Sequence, residues 1–185
     1  MFTPEQQRTL LALARESITC KVTADKLPQP EKIEADFHQL RGAFVTLTLH
    51  GALRGCIGYP EPIYPLYQSI IHGAASAALE DPRFSPVTPA ELREIEIEIS
   101  VLSELVPTKP EAVVVGKHGL VVEKGRLRGL LLPQVPIEWG WDREEFLNYT
   151  CRKAGLPADA WHTGAALYSF TAEVFSEAMH RVAVE

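Results

Sequence analysis

The chain has 185 residues, 46% hydrophobic and 23% charged, a balance that suits one soluble core or two small lobes. Eighteen basic against twenty-four acidic side chains leave a net charge of −6, which argues against a surface built to wrap nucleic acid. The N-terminus MFTPEQQRTLLALARES lacks the basic start and long apolar core of a signal peptide, and no run approaches the roughly 18 apolar residues of a membrane span. Cys20, Cys56 and Cys151 form no CxxC pair, so the expectation is a cytoplasmic protein with reduced thiols and neither a disulfide framework nor a thiolate zinc site.

The first helix is announced by Thr3 as cap, Pro4 at its first position and Gln6 completing a capping box, followed by Leu10, Leu11, Ala14 and Ile18 at helical spacing. Pro28 and Pro30 break the chain into a loop. Residues 43–58 read as a hairpin, AFVTLTL returning as ALRGCIG through a two-residue turn at His50-Gly51. That turn puts Leu47 opposite Arg54 and Val45 opposite Cys56, all on one face, unless a bulge intervenes. A helix is expected over 62–80, with Leu66, Ile70, Ala74 and Ala77 on one stripe, stopped at DPRF by Pro82. In IEIEISVL, residues 95–102, the isoleucines and Val101 point one way while Glu96, Glu98 and Ser100 point the other.

Residues 105–118 read as a crossing between lobes. A second hairpin follows, LVVE and LRGLLL around Lys124-Gly125, and LPQVPIEWGW reads as an ordered loop. Asp142 and Glu145 cap a helix ending near Gly155, and one last strand is expected over 166–175. Hairpins that dominate over βαβ units make the fold class α+β.

Cys56 is the leading chemical candidate, because a thiol beside a guanidinium favours its nucleophilic thiolate. The plainer alternative is a small buried hydrophobe. Arg54 reads either as an anion receptor or as a stem lying along the sheet with its head in water. A cation among Leu47 and Val45 calls for a carboxylate, and Glu98, Glu96 and Asp81 are the choices. His118, in GKHGL between Gly116 and Gly119, is the histidine best presented for acid–base work, or else a turn residue with a satisfied hydrogen bond. The six histidines form no HxH or HExxH pattern, so no metal site is expected, and there is no Walker loop, GxGxxG or GxSxG. The pair Trp139 and Trp141 reads as packing more readily than as a stacking platform.

The hexapeptide LRGCIG, with DPRF, EIEISVLS, GKHGL, LLLPQVPIEWGWDREEFL and CRKAGLP, resembles the AMMECR family, also called AmmeMemoRadiSam system protein A. The resemblance covers nearly the whole chain. It implies two unequal subdomains, each with an antiparallel sheet flanked by helices, enclosing a cleft: a larger one of 1–103 plus 166–185, and a smaller one of 104–165. It also implies relatives beside or fused to a Memo-like protein and a radical SAM protein. It supplies no reaction, cofactor or oligomeric state. The matching positions make Cys56, Arg54 and His118 the expected catalytic set, with Leu53, Gly55, Ile57, Gly58, Asp81, Arg83, Glu98 and Gln134 as binding positions. Two functions follow: an enzyme acting on a small molecule or peptide in the cleft, or a non-catalytic binding or accessory subunit.

Overall fold

In a computed structural model that describes residues 1–182, the elements run α1 (Pro4–Ala24), β1 (Ala43–Leu49), β2 (Ala52–Tyr59), α2 (Leu66–Leu79), β3 (Ile95–Leu102), β4 (Val106–Pro107), β5 (Gly119–Lys124), β6 (Leu127–Leu131), α3 (Val135–Trp139), α4 (Arg143–Lys153), β7 (Ala166–Phe170), β8 (Ala172–Ser176) and α5 (Glu177–Val182). Residues 183–185, the end of the expected larger lobe, lie outside the described residues. The strands form two four-stranded sheets, β2-β1-β3-β8 and β4-β7-β5-β6, and the fold is α+β with antiparallel sheets flanked by helices. The chain divides into two compact units, Met1–Val101 with Glu173–Glu185, and Leu102–Ala172.

In the first unit, the Thr3–Gln6 capping box opens α1 as the sequence predicts: the Gln6 N–H donates to Thr3 Oγ1 and the Thr3 N–H to Gln6 Oε1. Leu10, Leu11, Ala14 and Ile18 of α1 then bury against Leu66, Ile70, Ala74 and Ala77 of α2 and against Val45, Leu47, Ile97 and Ile99 from one face of the sheet. The alternation of β3 is visible as burial in its first half, since Ile95, Ile97, Ile99 and Val101 are buried while Glu96 and Glu98 stay part-exposed; Ser100, expected on the outward side, is buried as well. α2 begins at Leu66 rather than at 62, because Pro65 disfavours helical geometry at the residue before it.

The second unit buries Leu120, Val122, Phe146, Leu147, Cys151 and Leu167. Two expectations change here. The stretch read as a loop contains α3, which tolerates Pro136 in its first turn and is ended by Gly140 at φ 67°. The single strand expected over 166–175 is two strands, β7 in the second sheet and β8 in the first, broken at Thr171. Thr171 exchanges hydrogen bonds with Ser103: its N–H donates to Ser103 Oγ at 2.9 Å and its carbonyl accepts the Ser103 N–H at 2.8 Å. The period-2 pattern runs unbroken through Thr171, so alternation alone cannot show that the strand changes sheets.

Candidate functional site

His50 and Gly51 close the first hairpin with φ of 51° and 81°, the left-handed pair that a two-residue turn demands. The register beside it is as expected, with Leu49 opposite Ala52 and Thr48 opposite Leu53, but then shifts, so that Leu47 faces Gly55 and Thr46 faces Cys56. Arg54 is the extra residue of a β-bulge. The expected pairing of Leu47 with Arg54 and Val45 with Cys56 is therefore corrected. A one-residue slip moves Cys56 to the face opposite the core.

The bulge separates Arg54 from the thiol. Its Nε donates to Glu91 Oε1 at 2.7 Å and its Nη2 to Glu91 Oε2 at 3.3 Å, while Nη1 and Nη2 donate to the Ser85 and Pro86 carbonyls at 2.8 and 3.3 Å. Its side chain is only 12% exposed. The carboxylate that meets it is Glu91, not Glu98, Glu96 or Asp81. Glu91 is fixed from its own side by the Thr88 N–H and hydroxyl, at 2.7 and 2.9 Å. The guanidinium first, then the Thr88 amide, hold its carboxyl at about 2, below the usual range. Arg54 thus ties the bulge to the loop after α2.

Gly55 takes the core-facing position that Arg54 was expected to hold. A Cβ there would lie 2.0 Å from the Ala77 carbonyl oxygen of α2. Ile57 faces the same core, opposite Val45. Gly58 lies opposite Phe44, and its hydrogen faces the Ala43 carbonyl, where a Cβ would come within 2.2 Å. Leu53 is 44% exposed.

Cys56 is on the outer strand of its sheet, and its N–H donates to Asp81 Oδ2 at 2.9 Å. That outward amide makes Cys56 and Thr46 a non-hydrogen-bonded pair, the kind that brings side chains closest. The Thr46 hydroxyl accordingly donates to Cys56 Sγ at 3.3 Å. Thr46 faces Glu98 on its other side, so thiol, hydroxyl and carboxyl form one row across β2, β1 and β3. Two strand spacings put the Cys56 and Glu98 Cα atoms about 10 Å apart. Burial pushes the Glu98 carboxyl above its ordinary value, and among the described residues it has no hydrogen-bond partner.

DPRF builds the edge of this row. Asp81, 4% exposed, accepts from the Arg83 N–H, Nε and Nη2 at 3.1, 2.9 and 2.7 Å. Those bonds hold its carboxyl well below the usual range, with the Cys56 amide reinforcing them. Arg83 is correspondingly held above its ordinary value, chiefly by its hydrogen bonds to Asp81. Asp81 therefore bridges the Cys56 amide and the Arg83 guanidinium.

Glu98 gives a test with a definite sign. Its folded pKa lies above the unfolded value near 4.5, so its ionisation opposes folding increasingly as pH rises past that point. Glu98→Gln should therefore match the parent below pH 4.5 and exceed its stability at pH 8. Urea unfolding at both pH values checks this, and equal or lower stability of the variant at pH 8 would contradict it.

In the second unit, the His118 Nδ1 accepts the Val114 N–H at 3.1 Å and the His118 N–H donates to the Val114 carbonyl at 3.0 Å. The ring pins the turn that Gly116, at φ 82°, allows. Gln134 is exposed immediately before α3, its carbonyl accepting the N–H groups of Ile137 and Glu138. Among the described residues no group of three or more His, Cys, Asp or Glu side chains could hold a metal ion. Among the described residues no helix is long and apolar enough to cross a membrane.

Two residues of the arrangement escaped the sequence reading. Thr46 was absorbed into the apolar run AFVTLTL, although its alternation with Val45 and Leu47 marks the outer face. Glu91 closes Thr88-Pro89-Ala90-Glu91, the same cap-and-proline pattern that opens α1.

A protein-family model described as AMMECR1 matches residues 11–175. A Methanothermobacter thermautotrophicus protein is 48% identical over 182 residues, covering 94% of this chain and 95% of its own. Protein TK0174 of Thermococcus kodakarensis is 49% identical over 181 residues, covering 91% and 88%. The crystal structure of the uncharacterised protein PH0010 from Pyrococcus horikoshii is similar with a TM-score of 0.84 at 45% identity, covering 95% of this chain and 93% of that one. The chain belongs to the AMMECR1 family.

Proposed function

We propose that this protein is a thiol-dependent enzyme acting on an acyl group of a small molecule or peptide, with Cys56 as nucleophile on the outer face of the first sheet. The observation that carries this reading is the row Cys56–Thr46–Glu98, edged by the Asp81–Arg83 pair. Arg83 supplies the positive charge that favours a thiolate. Thr46 donates to the sulfur and orients it. Glu98 stands two strands away, too far to take the thiol's proton directly, so its work is on the substrate. With its pKa raised, it keeps a proton to higher pH than an ordinary carboxyl and serves as the acid.

In the acylation step the Cys56 Sγ–carbon bond forms as the bond to the leaving group breaks, and Glu98 gives its proton to the departing atom. Water then cleaves the thioester, returning a proton to Glu98. The substrate lies over Thr46, between the two groups. This reading takes no step from His118, whose Nδ1 is committed to the Val114 amide.

A second reading is favoured by one observation: Arg54, the activator expected from sequence, is wholly engaged with Glu91 and two carbonyls. On that reading the chain is a cytosolic accessory subunit for a Memo-like or radical SAM protein, and the thiol is inert. Limiting iodoacetamide followed by peptide mass spectrometry separates the two. The enzyme reading expects Cys56 to be alkylated ahead of part-buried Cys20, with buried Cys151 unlabelled. Labelling of Cys20 first would favour the accessory subunit.

A further inference from the structure

Away from Cys56, the first unit contains a cavity of about 470 Å³ walled by α1, the turn before β3, and α5. Arg8 and Arg15 come from one stripe of α1, Arg93 from the turn, and His180 and Arg181 from α5. Leu11, Ala12 and Ile95 complete an apolar part of the lining. Four arginines on one cavity stand out in a chain whose net charge is −6.

These cations are not equivalent. Arg15 is saturated: it forms a bidentate pair with Glu177 and donates to the Leu92 and Ile95 carbonyls at 2.7 and 2.8 Å. Glu177, the one acid of the lining, is saturated as well, since it also accepts the Ile97 N–H at 3.0 Å. Arg181 pairs with Glu96. Arg8 and Arg93 have no hydrogen-bond or ion-pair partner among the described residues. His180 adds a buried ring nitrogen, Nε2, that has no partner there either. The ion pairs therefore brace the walls and leave two guanidinium forks and an imidazole nitrogen unassigned.

We propose that this cavity binds a small phosphate monoester, its phosphate held by Arg8, Arg93 and His180 and its organic body against Leu11, Ala12 and Ile95. A phosphate has three terminal oxygens pointing in different directions, so donors from three separate elements can each meet one. A planar carboxylate has two oxygens and suits a single fork. The volume falls within the range of small-molecule sites and exceeds what an inorganic ion fills. This site shares no residue with the Cys56 row and stands or falls independently of it.

Calorimetric titration with phenyl phosphate, inorganic phosphate and benzoate tests the assignment, on the parent and on the Arg8→Gln/Arg93→Gln double variant. Both arginines are exposed, so the variant should unfold at the parent's midpoint, and Arg126→Gln on the second unit is the control. Phenyl phosphate should bind more tightly than either other probe. The double variant should weaken it by about tenfold or more, the loss of at least one charge-assisted contact, while the control leaves it unchanged. Backbone amide shifts at Glu91–Ile95 and Glu177–Arg181 should accompany binding. Absence of saturable binding, equal affinity for benzoate, or an undiminished double variant would each overturn the proposal.

Discussion

Gly55→Ala should destabilise the first unit by about 3 kcal/mol or more, or prevent it from folding. The added Cβ would lie 2.0 Å from the Ala77 carbonyl oxygen and 3.0 Å from its carbon. The atoms it meets are backbone, in the last turn of a helix whose apolar face is locked in the core, so no side chain can swing away. Relief requires α2 to lift from the sheet, which opens contacts among Ile70, Ala74, Val45 and Leu47. For contrast, Gly51→Ala at the hairpin turn meets nothing within 4 Å and strains only a positive φ, so it should cost about 1 kcal/mol. Chemical unfolding of both variants tests the ranking, and a Gly55→Ala protein as stable as Gly51→Ala would show that the helix and bulge are not so closely seated.

Arg54→Met should cost about 3 kcal/mol at pH 7, because it strips the counter-charge from a carboxylate that is itself only 22% exposed and leaves the Ser85 and Pro86 carbonyls without their donor. For a chain of this size that corresponds to a fall of roughly 6–12 °C in Tm. The effect has a pH signature. Glu91 has a folded pKa of about 2 against an ordinary 4.5, so its contribution is fully present above pH 4.5 and is lost as pH falls toward 2. The difference between parent and variant should therefore be largest at neutral pH and shrink between pH 4.5 and 2. In the variant the Glu91 carboxyl should titrate closer to its ordinary value by NMR. A Tm within 2 °C of the parent, or a loss equally large at pH 2.5, would contradict this role for Arg54.

The fold was legible wherever a local rule decides it. Capping boxes at Thr3 and Asp142, the alternation of residues 95–102 and the His50-Gly51 turn each rest on neighbours within a few positions. The site was legible in its membership more than in its geometry. Cys56, Asp81, Arg83 and Glu98 were singled out, but the partner of Arg54 was misassigned because a bulge is a contest between adjacent registers. What settles that contest is the fit of Gly55 under Ala77, a contact between residues far apart in sequence. The change of sheet at Thr171 was hidden for a similar reason: it depends on where Ser103 lies in space, and the alternating pattern on both sides of Thr171 is the same. Thr46 was missed because β-branched polar residues look alike whether they fill a strand or meet a thiol.

On the proposed function, Arg83, fixed by Asp81, sustains a reactive Cys56. The most direct measurement is the second-order rate of Cys56 alkylation from pH 6 to 10 in the parent, Arg83→Gln and Arg83→Lys. An electrostatic role predicts that Arg83→Gln slows alkylation about tenfold at pH 7.5, the effect of one unit in thiol ionisation, and that Arg83→Lys recovers part of the loss. It also predicts that the three rates converge as pH rises to 10, above the ordinary thiol range. Equal rates at pH 7.5, or a deficit that persists undiminished at pH 10, would contradict it.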